Sequence, residues 1–322
     1  MTAGVDPGCV WLRLAVENGR VSEVRVSSER PVVARSLQDR AADEGVRLVP
    51  LLFALCGKAQ GRAAELALAA ARGKECLAHL DPAIEQEVMR EHLWRWLLDL
   101  PPLLGEIAMR EEFVAAIGAL ANSNRNQLAA LLAGPRIAAL CSHLAMLDDA
   151  ACPPPRLLPV LDAKDSLACW PRLDAAFCQQ PHWQGMAAET GAFARQQGRE
   201  GVAGAAFAVR WLARLQELRD WVDGGAQAGA GGTASAAQVA PDCGRALVET
   251  ARGLLMHEIV LDGDRIAGYS IVAPTEWNFH PRGPLAGWLT GRDASDREAL
   301  RNFAARGVAA LDPCVRWELQ WL

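Results

Sequence analysis

Apolar and polar positions alternate through residues 10–26, on either side of Glu17-Asn18-Gly19-Arg20. A period of two marks half-buried strands, and Asn-Gly between two such runs predicts a tight type I′ hairpin. From residue 36 to residue 134 the spacing changes to the helical period. It predicts helices over 57–72, over 83–100 (stopped by Pro101-Pro102) and over 111–120. Residues 150–182 are rich in Pro and Cys and read as an extended connection. Helix returns over 186–222, where Trp211, Leu215, Leu218 and Val222 recur on one face. Residues 224–241, GGAQAGAGGTASAAQVAP, read as a flexible Gly/Ala-rich linker or loop. Those glycines are not a phosphate loop, because no strand leads into them and no Gly-Lys-Ser/Thr follows. A second hairpin is expected over 256–261 and 265–272, around Asp262-Gly263-Asp264. A last helix should start at Ser295, with Glu298 completing a capping box, and end near Leu311. The pattern predicts one α+β domain over residues 1–322, mainly helical.

The 322 residues are 51% hydrophobic, enough to bury a sizeable core. A formal net charge of −5 leaves no basic footprint, which excludes a nucleic-acid-binding class. The most apolar stretch, 47–73, is interrupted by Lys58, Arg62 and Glu65, so it reads as buried helix and not as a membrane span. The first residues lack the basic region of a signal peptide, so a cytoplasmic protein is expected. Nine scattered cysteines with no Cys-x-x-Cys argue against a zinc ribbon, a thioredoxin-type site or a secreted disulfide framework. Cys141 and His143 are two apart and do not share a helix face.

Candidate chemistry lies in widely separated segments. One is LCGKAQGRAAELALA from Leu55, which places Cys56-Gly57 at a helix start. Another is residues 248–283, with Arg252-Gly253, His257, an Asp-Gly hairpin, and then Pro274-Thr275-x-Trp277-Asn278-x-x-Pro281-Arg282. The last is Asp312-Pro313-Cys314. In this order, and following the N-terminal hairpin, these segments resemble the large subunit of nickel–iron hydrogenases. In a chain this short they resemble the HupK/HoxV family of hydrogenase maturation proteins, paralogues of that subunit. The resemblance implies a trimmed large-subunit-like fold, a helical bundle with small antiparallel hairpins at its ends. Cys56 and Cys314 should meet at its centre.

The resemblance also says which metal ligands are present. Cys56 and Cys314 match the family's two terminal nickel cysteines, while the bridging positions hold Ala59 and Trp317. The histidine positions after the two motifs hold Ala63 and Gln320, and the family's N-terminal glutamate falls on Pro7, with Cys9 in the place of the next histidine. Alanine and tryptophan cannot bridge two metals, so neither nickel nor hydrogen turnover is expected. Two soft thiolates suit one low-spin iron carrying carbonyl and cyanide. Arg252, and Thr275 following Pro274, match positions that donate hydrogen bonds to the cyanides. Asp312 fixes the register of Cys314 and, with Arg252, Pro274 and Thr275, is expected to line the cofactor site. Leu51, Leu52, Phe53 and Val272 would form an apolar wall for the carbonyl. The helix start, with Lys58 nearby, should lower the Cys56 pKa.

The function implied is a maturation scaffold. It would take an Fe(CN)2CO unit from HypC/HypD-type proteins and deliver it to the hydrogenase large-subunit precursor, with no membrane or nucleic-acid partner. The competing classes are a metal-free docking protein for maturation factors, and an atypical hydrogenase or hydrogen sensor. Taken singly, Cys56 reads as a core thiol and Cys314 as inert; their joint occurrence with Arg252 and Thr275 overturns that. Cys9, Cys76, Cys141, Cys152, Cys169, Cys178 and Cys243 read as ordinary core or surface thiols. His257 reads as structural, and His79, His92, His143, His182 and His280 as hydrogen-bonded groups rather than ligands. Trp94, Trp96, Trp211 and Trp221 read as core, and Glu111-Glu112 and Asp148-Asp149 as solvated helix ends.

Overall fold

A computed structural model describes residues 8–29, 33–53, 55–74, 76–147, 156–160, 170–197, 206–224 and 230–322. Pro7, Asp148, Asp149, Cys152 and Cys169 lie outside the described residues. The N-terminal hairpin forms as its pattern predicts, with β1 (Cys9–Glu17) antiparallel to β2 (Arg20–Glu29). Asn18 and Gly19 both take positive φ, 52° and 74°, as a type I′ turn requires. The other edge of β1 pairs in parallel with β8 (Arg316–Trp321), giving a three-stranded sheet ordered β2-β1-β8.

The second hairpin belongs to a larger sheet than the sequence suggested. β3 (Cys76–Leu80), β4 (Thr233–Ala240), β5 (Cys243–Thr250), β6 (Gly253–Asp262) and β7 (Arg265–Val272) form an antiparallel sheet in that order. β4 corrects the linker reading, because Thr233–Ala240 is a paired strand; residues 225–229 lie outside the described set. Its Ala and Ser side chains carry little strand preference of their own. The ladder to β5 and the small space under a helix select them instead.

That helix is the second of thirteen short and long α-helices among the described residues. α1 (Ala42–Leu52), α2 (Gly57–Ala71) and α3 (Pro82–Trp94) come first. A π-helical turn, Arg95–Asp99, carries α3 into α4 (Leu100–Leu103). Pro101 and Pro102 therefore do not stop the chain where predicted. The Leu100 N–H reaches back to the Arg95 carbonyl, and the prolines occupy the first turn of α4, where a missing N–H is tolerated. α5 (Arg110–Ala121), α6 (Arg125–Leu132), α7 (Pro135–Ala145), α8 (Ala175–Gln179), α9 (Ala192–Arg195) and α10 (Ala206–Val222) follow. α11 (Pro274–Asn278), α12 (Pro284–Leu289) and α13 (Arg297–Leu311) complete the set. The N-cap of α13 is Asp296, one residue later than expected, with its carboxylate 2.9 Å from the Glu298 and Ala299 amides. The whole is α+β and mainly helical, roughly 49% helix and 25% strand.

α2 holds the architecture together. Its buried face is almost all alanine (Ala59, Ala63, Ala64, Ala67, Ala70 and Ala71), and it lies directly on β5. The approach is so close that a Cβ on Gly244 would stand 2.1 Å from the Ala67 carbonyl oxygen. Trp96, Trp211 and Trp221 are core residues as expected, whereas Trp94 is 46% exposed and packs edge-on against Phe113. A separate apolar cluster joins β1 to α12 and α13, and Trp317 packs against it.

Candidate functional site

Cys56 is the N-cap residue of α2, held there by a tight contact. A Cβ on Gly57 would lie 2.9 Å from the Pro50 carbonyl oxygen, so the Cys-Gly pair is needed for the helix to start under α1. Cys314 follows α13. Asp312 ends that helix in the left-handed conformation, φ 55°, and turns the chain back toward α11. α11 begins at Pro274, which suits a first helical position, and so presents the buried Thr275. The Thr275 hydroxyl lies 3.1 Å from Cys314 Sγ and accepts from the Cys314 amide at 3.3 Å. Arg252 enters from the turn between β5 and β6 and is 5% exposed. The fold thus brings Cys56, Cys314, Arg252, Thr275 and Asp312 together, and each thiol acts electrostatically on the Arg252 guanidinium and on its fellow thiol.

Asp312 is the hub of a buried ionic cluster. Arg95 Nη2 lies 2.6 Å from its carboxylate, Arg252 Nε 3.3 Å and Arg214 Nη2 4.0 Å. Burial alone would raise the Asp312 pKa; Arg252, then Arg95 and Arg214, overcome it and hold the carboxyl well below its usual range. Arg252 also donates to Glu91 Oε2 at 3.1 Å. Burial opposes its charge, but Asp312 and Glu91 outweigh burial and raise its pKa further. Arg214 is left short of partners, and burial pushes it down to about 10. Glu91, Arg95 and Arg214 carry no motif. Sequence reading missed them because only the fold brings α3, the π-turn and α10 to Asp312.

Two expectations about this region are corrected. Cys56 is not activated by its helix: burial pushes the thiol up to about 12, with the neighbouring Cys314 and Glu87 adding to the effect. Burial is the main reason, and α3 adds to it: its Glu87 carboxylate accepts the amides of Lys58 (3.0 Å) and Ala59 (3.1 Å). A negative charge therefore already occupies the positive end of α2. The cation that lowers the Cys56 pKa is Arg252, not Lys58, helped by a hydrogen bond from Gln60 Nε2 at 3.7 Å. The expected apolar wall is also incomplete. Val272 is fully buried and Phe53 is partly buried, but Leu51 is 79% exposed and Leu52 is 44% exposed.

His257 has the structural setting assigned to it, fully buried between Tyr269 and Gln60. His92 is likewise buried and bonded to Glu217 at 2.7 Å. Cys9 and Cys243 are buried thiols, and Cys76, Cys141 and Cys178 are half-buried thiols. Among the described residues, no single helix is long and apolar enough to cross a membrane.

These features define a class: the architecture is that of a nickel–iron hydrogenase large subunit. A chain of the Ni-Fe-Se hydrogenase from Desulfovibrio vulgaris Hildenborough in the reduced state superposes with a TM-score of 0.60 at 14% identity, over 93% of this chain and 94% of that one. A reduced, active Ni-Fe-Se hydrogenase from Desulfomicrobium baculatum gives 0.55 at 14% identity, over 94% and 95%. The sequence family described as nickel-dependent hydrogenase matches residues 175–316. The chain is also 32% identical to the hydrogenase expression/formation protein HoxV of Cupriavidus necator, over 96% of this chain and 95% of that protein. It is 30% identical to the hydrogenase expression/formation protein HupK of Rhizobium leguminosarum bv. viciae, over 99% and 98%. The chain belongs to the HupK/HoxV family of hydrogenase expression/formation proteins.

Proposed function

We propose that this protein is a maturation scaffold that carries an Fe(CN)2CO unit and passes it to the precursor of a hydrogenase large subunit. The observation that carries the reading is the convergence of two free thiols, Cys56 and Cys314, on one buried arginine, Arg252. The donor set suits this cargo chemically. Two soft thiols would fill part of the coordination sphere of a low-spin iron that brings its own diatomic ligands. Cyanide carries negative charge on nitrogen, and an unpartnered buried cyanide would be strongly disfavoured. Arg252 and the Thr275 hydroxyl are the donors placed to meet it, and buried Val272 offers the carbonyl an apolar neighbour. Asp312 orients Arg252 and would not itself touch the cargo.

The same donor set argues against hydrogen turnover and nickel binding. Ala59 packs into the core under Glu87, and Trp317 lies on β8 against the apolar cluster of β1. The partners implied are a HypC/HypD-type donor and the large-subunit precursor as acceptor, meeting in the cytoplasm.

Infrared spectroscopy of the protein purified without oxygen, from cells expressing the maturation machinery, tests the reading. Carbonyl and cyanide bands are expected in the wild type, and their loss or shift in Cys56→Ala or Cys314→Ala identifies the anchoring thiol. A spectrum without such bands, with iron absent by elemental analysis, overturns it. A second reading, a metal-free docking protein, is favoured by the exposed Leu51, Leu52 and Leu55 beside Cys56. Hydrogenase maturation that survives Cys56→Ala and Cys314→Ala would select it.

A further inference from the structure

Three buried side chains behind Cys56 form a single-file hydrogen-bonded chain. Tyr269 of β7 lies 2.9 Å from His257 Nδ1, and His257 Nε2 lies 2.8 Å from Gln60 Oε1. The other end of the Gln60 amide, Nε2, lies 3.7 Å from Cys56 Sγ. Tyr269 is 7% exposed, Gln60 2% and His257 0%. Gln60 sits one turn after Cys56 on α2, and its backbone N–H bonds to the Cys56 carbonyl at 2.9 Å. His257 and Tyr269 are on neighbouring strands of the sheet that α2 rides on.

The polarity of this chain follows the sulfur: a metal-bound thiolate has no proton to give and accepts the Gln60 N–H. Burial pushes the His257 pKa down to about 3, so the ring is neutral, with one donor and one acceptor nitrogen. Burial also raises the Tyr269 pKa, so the phenol keeps its proton. With the Gln60 N–H on such a thiolate, the amide oxygen faces His257 Nε2 and accepts, so Nε2 then carries the ring proton. Nδ1 then accepts from the Tyr269 hydroxyl. With its oxygen engaged by His257, the Gln60 amide has its N–H group toward the sulfur and cannot turn over without breaking two bonds.

We propose that Gln60 is a positioning residue for Cys56, locked by His257 and Tyr269 so that its N–H meets the sulfur whenever that sulfur carries a metal. The inference deepens the scaffold reading and rests on it. An N–H donated to a metal-bound thiolate stabilises the charge left on sulfur and fixes the direction of its lone pairs, and such supporting contacts are typically worth about 10- to 100-fold in metal affinity. The arrangement couples the thiol to the sheet as well as to its own helix. Cys56 therefore keeps one orientation in an otherwise irregular turn.

Cadmium ion is the probe, because it is soft, binds thiolates and gives a sulfur-to-metal charge-transfer band. The full metal-free chain is titrated as wild type and as Cys56→Ala, Gln60→Leu, Gln60→Glu and Tyr269→Phe, with circular dichroism confirming the fold. Gln60→Leu is expected to weaken the Cys56-dependent binding about 10-fold and to move the band to lower energy, because the sulfur lone pairs lose their hydrogen bond. Gln60→Glu should weaken it more, by turning a carboxylate oxygen toward sulfur. Tyr269→Phe removes only a hydroxyl at the far end, so it keeps the test open if the Gln60 variants do not fold; a smaller loss with the same band shift is expected. Cys56-dependent binding with unchanged affinity and band position in Gln60→Leu, or in Tyr269→Phe where the Gln60 variants do not fold, overturns the inference alone. Binding that is equal in wild type and Cys56→Ala overturns the metal-carrying reading beneath it.

Discussion

Ala59 donates its backbone N–H to the carboxylate of Glu87 at 3.1 Å. The contact places a carboxylate from α3 over the first turn of α2, where it adds a little to the burial and the Cys314 sulfur that keep Cys56 protonated in the metal-free protein. Glu87→Gln should keep one amide contact and remove the charge. Alkylation of Cys56 is then expected to run several-fold faster at alkaline pH, with its midpoint below about 12. Rates against pH, with Cys314→Ala as background, check it. An unchanged midpoint would mean that Glu87 is electrically irrelevant to the thiol. The cost in stability should be small, about 1 kcal/mol.

Asp312→Asn tests the ionic hub. Three arginines share this carboxylate, so neutralising it leaves buried positive charge without a counterion. Breaking one side of such a cluster costs about 3–5 kcal/mol, read as a lower urea midpoint. Arg214→Met is expected to be far milder, because Arg214 is the member with the weakest contact to Asp312, at 4.0 Å.

Stability should fall on both sides of neutrality, for different reasons. Unfolded His257 takes up a proton near 6.5, whereas the folded ring resists until about 3. The unfolded state binds more protons in that window, so stability is lost as pH falls from 6.5 toward 3, by up to about 1.4 kcal/mol per pH unit. Cys56 works in the opposite sense. Folded, it keeps its proton to about 12, while unfolded it loses it near 9.0. Stability is therefore lost as pH rises from 9.0 toward 12, and Cys56→Ser should flatten that alkaline limb. Urea midpoints measured across pH would show whether the serine variant keeps the slope, which would assign it to another group.

Gly244→Ala probes the seat of α2. The added methyl would meet backbone atoms of Ala67 and Ala71 at 2.1 Å, and backbone cannot turn aside as a side chain can. A loss of about 1–3 kcal/mol is expected. Because α2 carries Cys56 and Gln60, cadmium binding should weaken as well, even at temperatures where the variant is fully folded. Unaltered binding would show that the helix start is positioned by Pro50 and Gly57 alone.

The sequence announced the donors of this site and concealed their setting. Cys56-Gly57, Arg252, Pro274-Thr275 and Asp312-Pro313-Cys314 could be read as short motifs, because each is fixed by local backbone needs: a helix start, a tight turn, a left-handed helix end. The hairpins were legible for the same reason. Glu87, Glu91, Arg95 and Arg214 were not, since nothing local distinguishes them from solvated helical charges. β4 was misread because its Ala, Ser and Gly composition is that of a flexible segment, and only its neighbours make it a strand. The Cys56 pKa was misjudged because a helix start was visible in the sequence and the burial of the thiol was not.

The parallel pairing of β1 with β8 sets an order of events during synthesis. The ribosome makes β1 and β2 together, and they can close their hairpin at once, but the other edge of β1 waits for a strand encoded after almost everything else. Cys314 and Asp312 lie just before that strand. While translation is under way, Cys56 has neither its fellow thiol nor the counterion of Arg252, so a nascent chain presents only half a site. The two thiols come together only when the chain's most distant segment has docked.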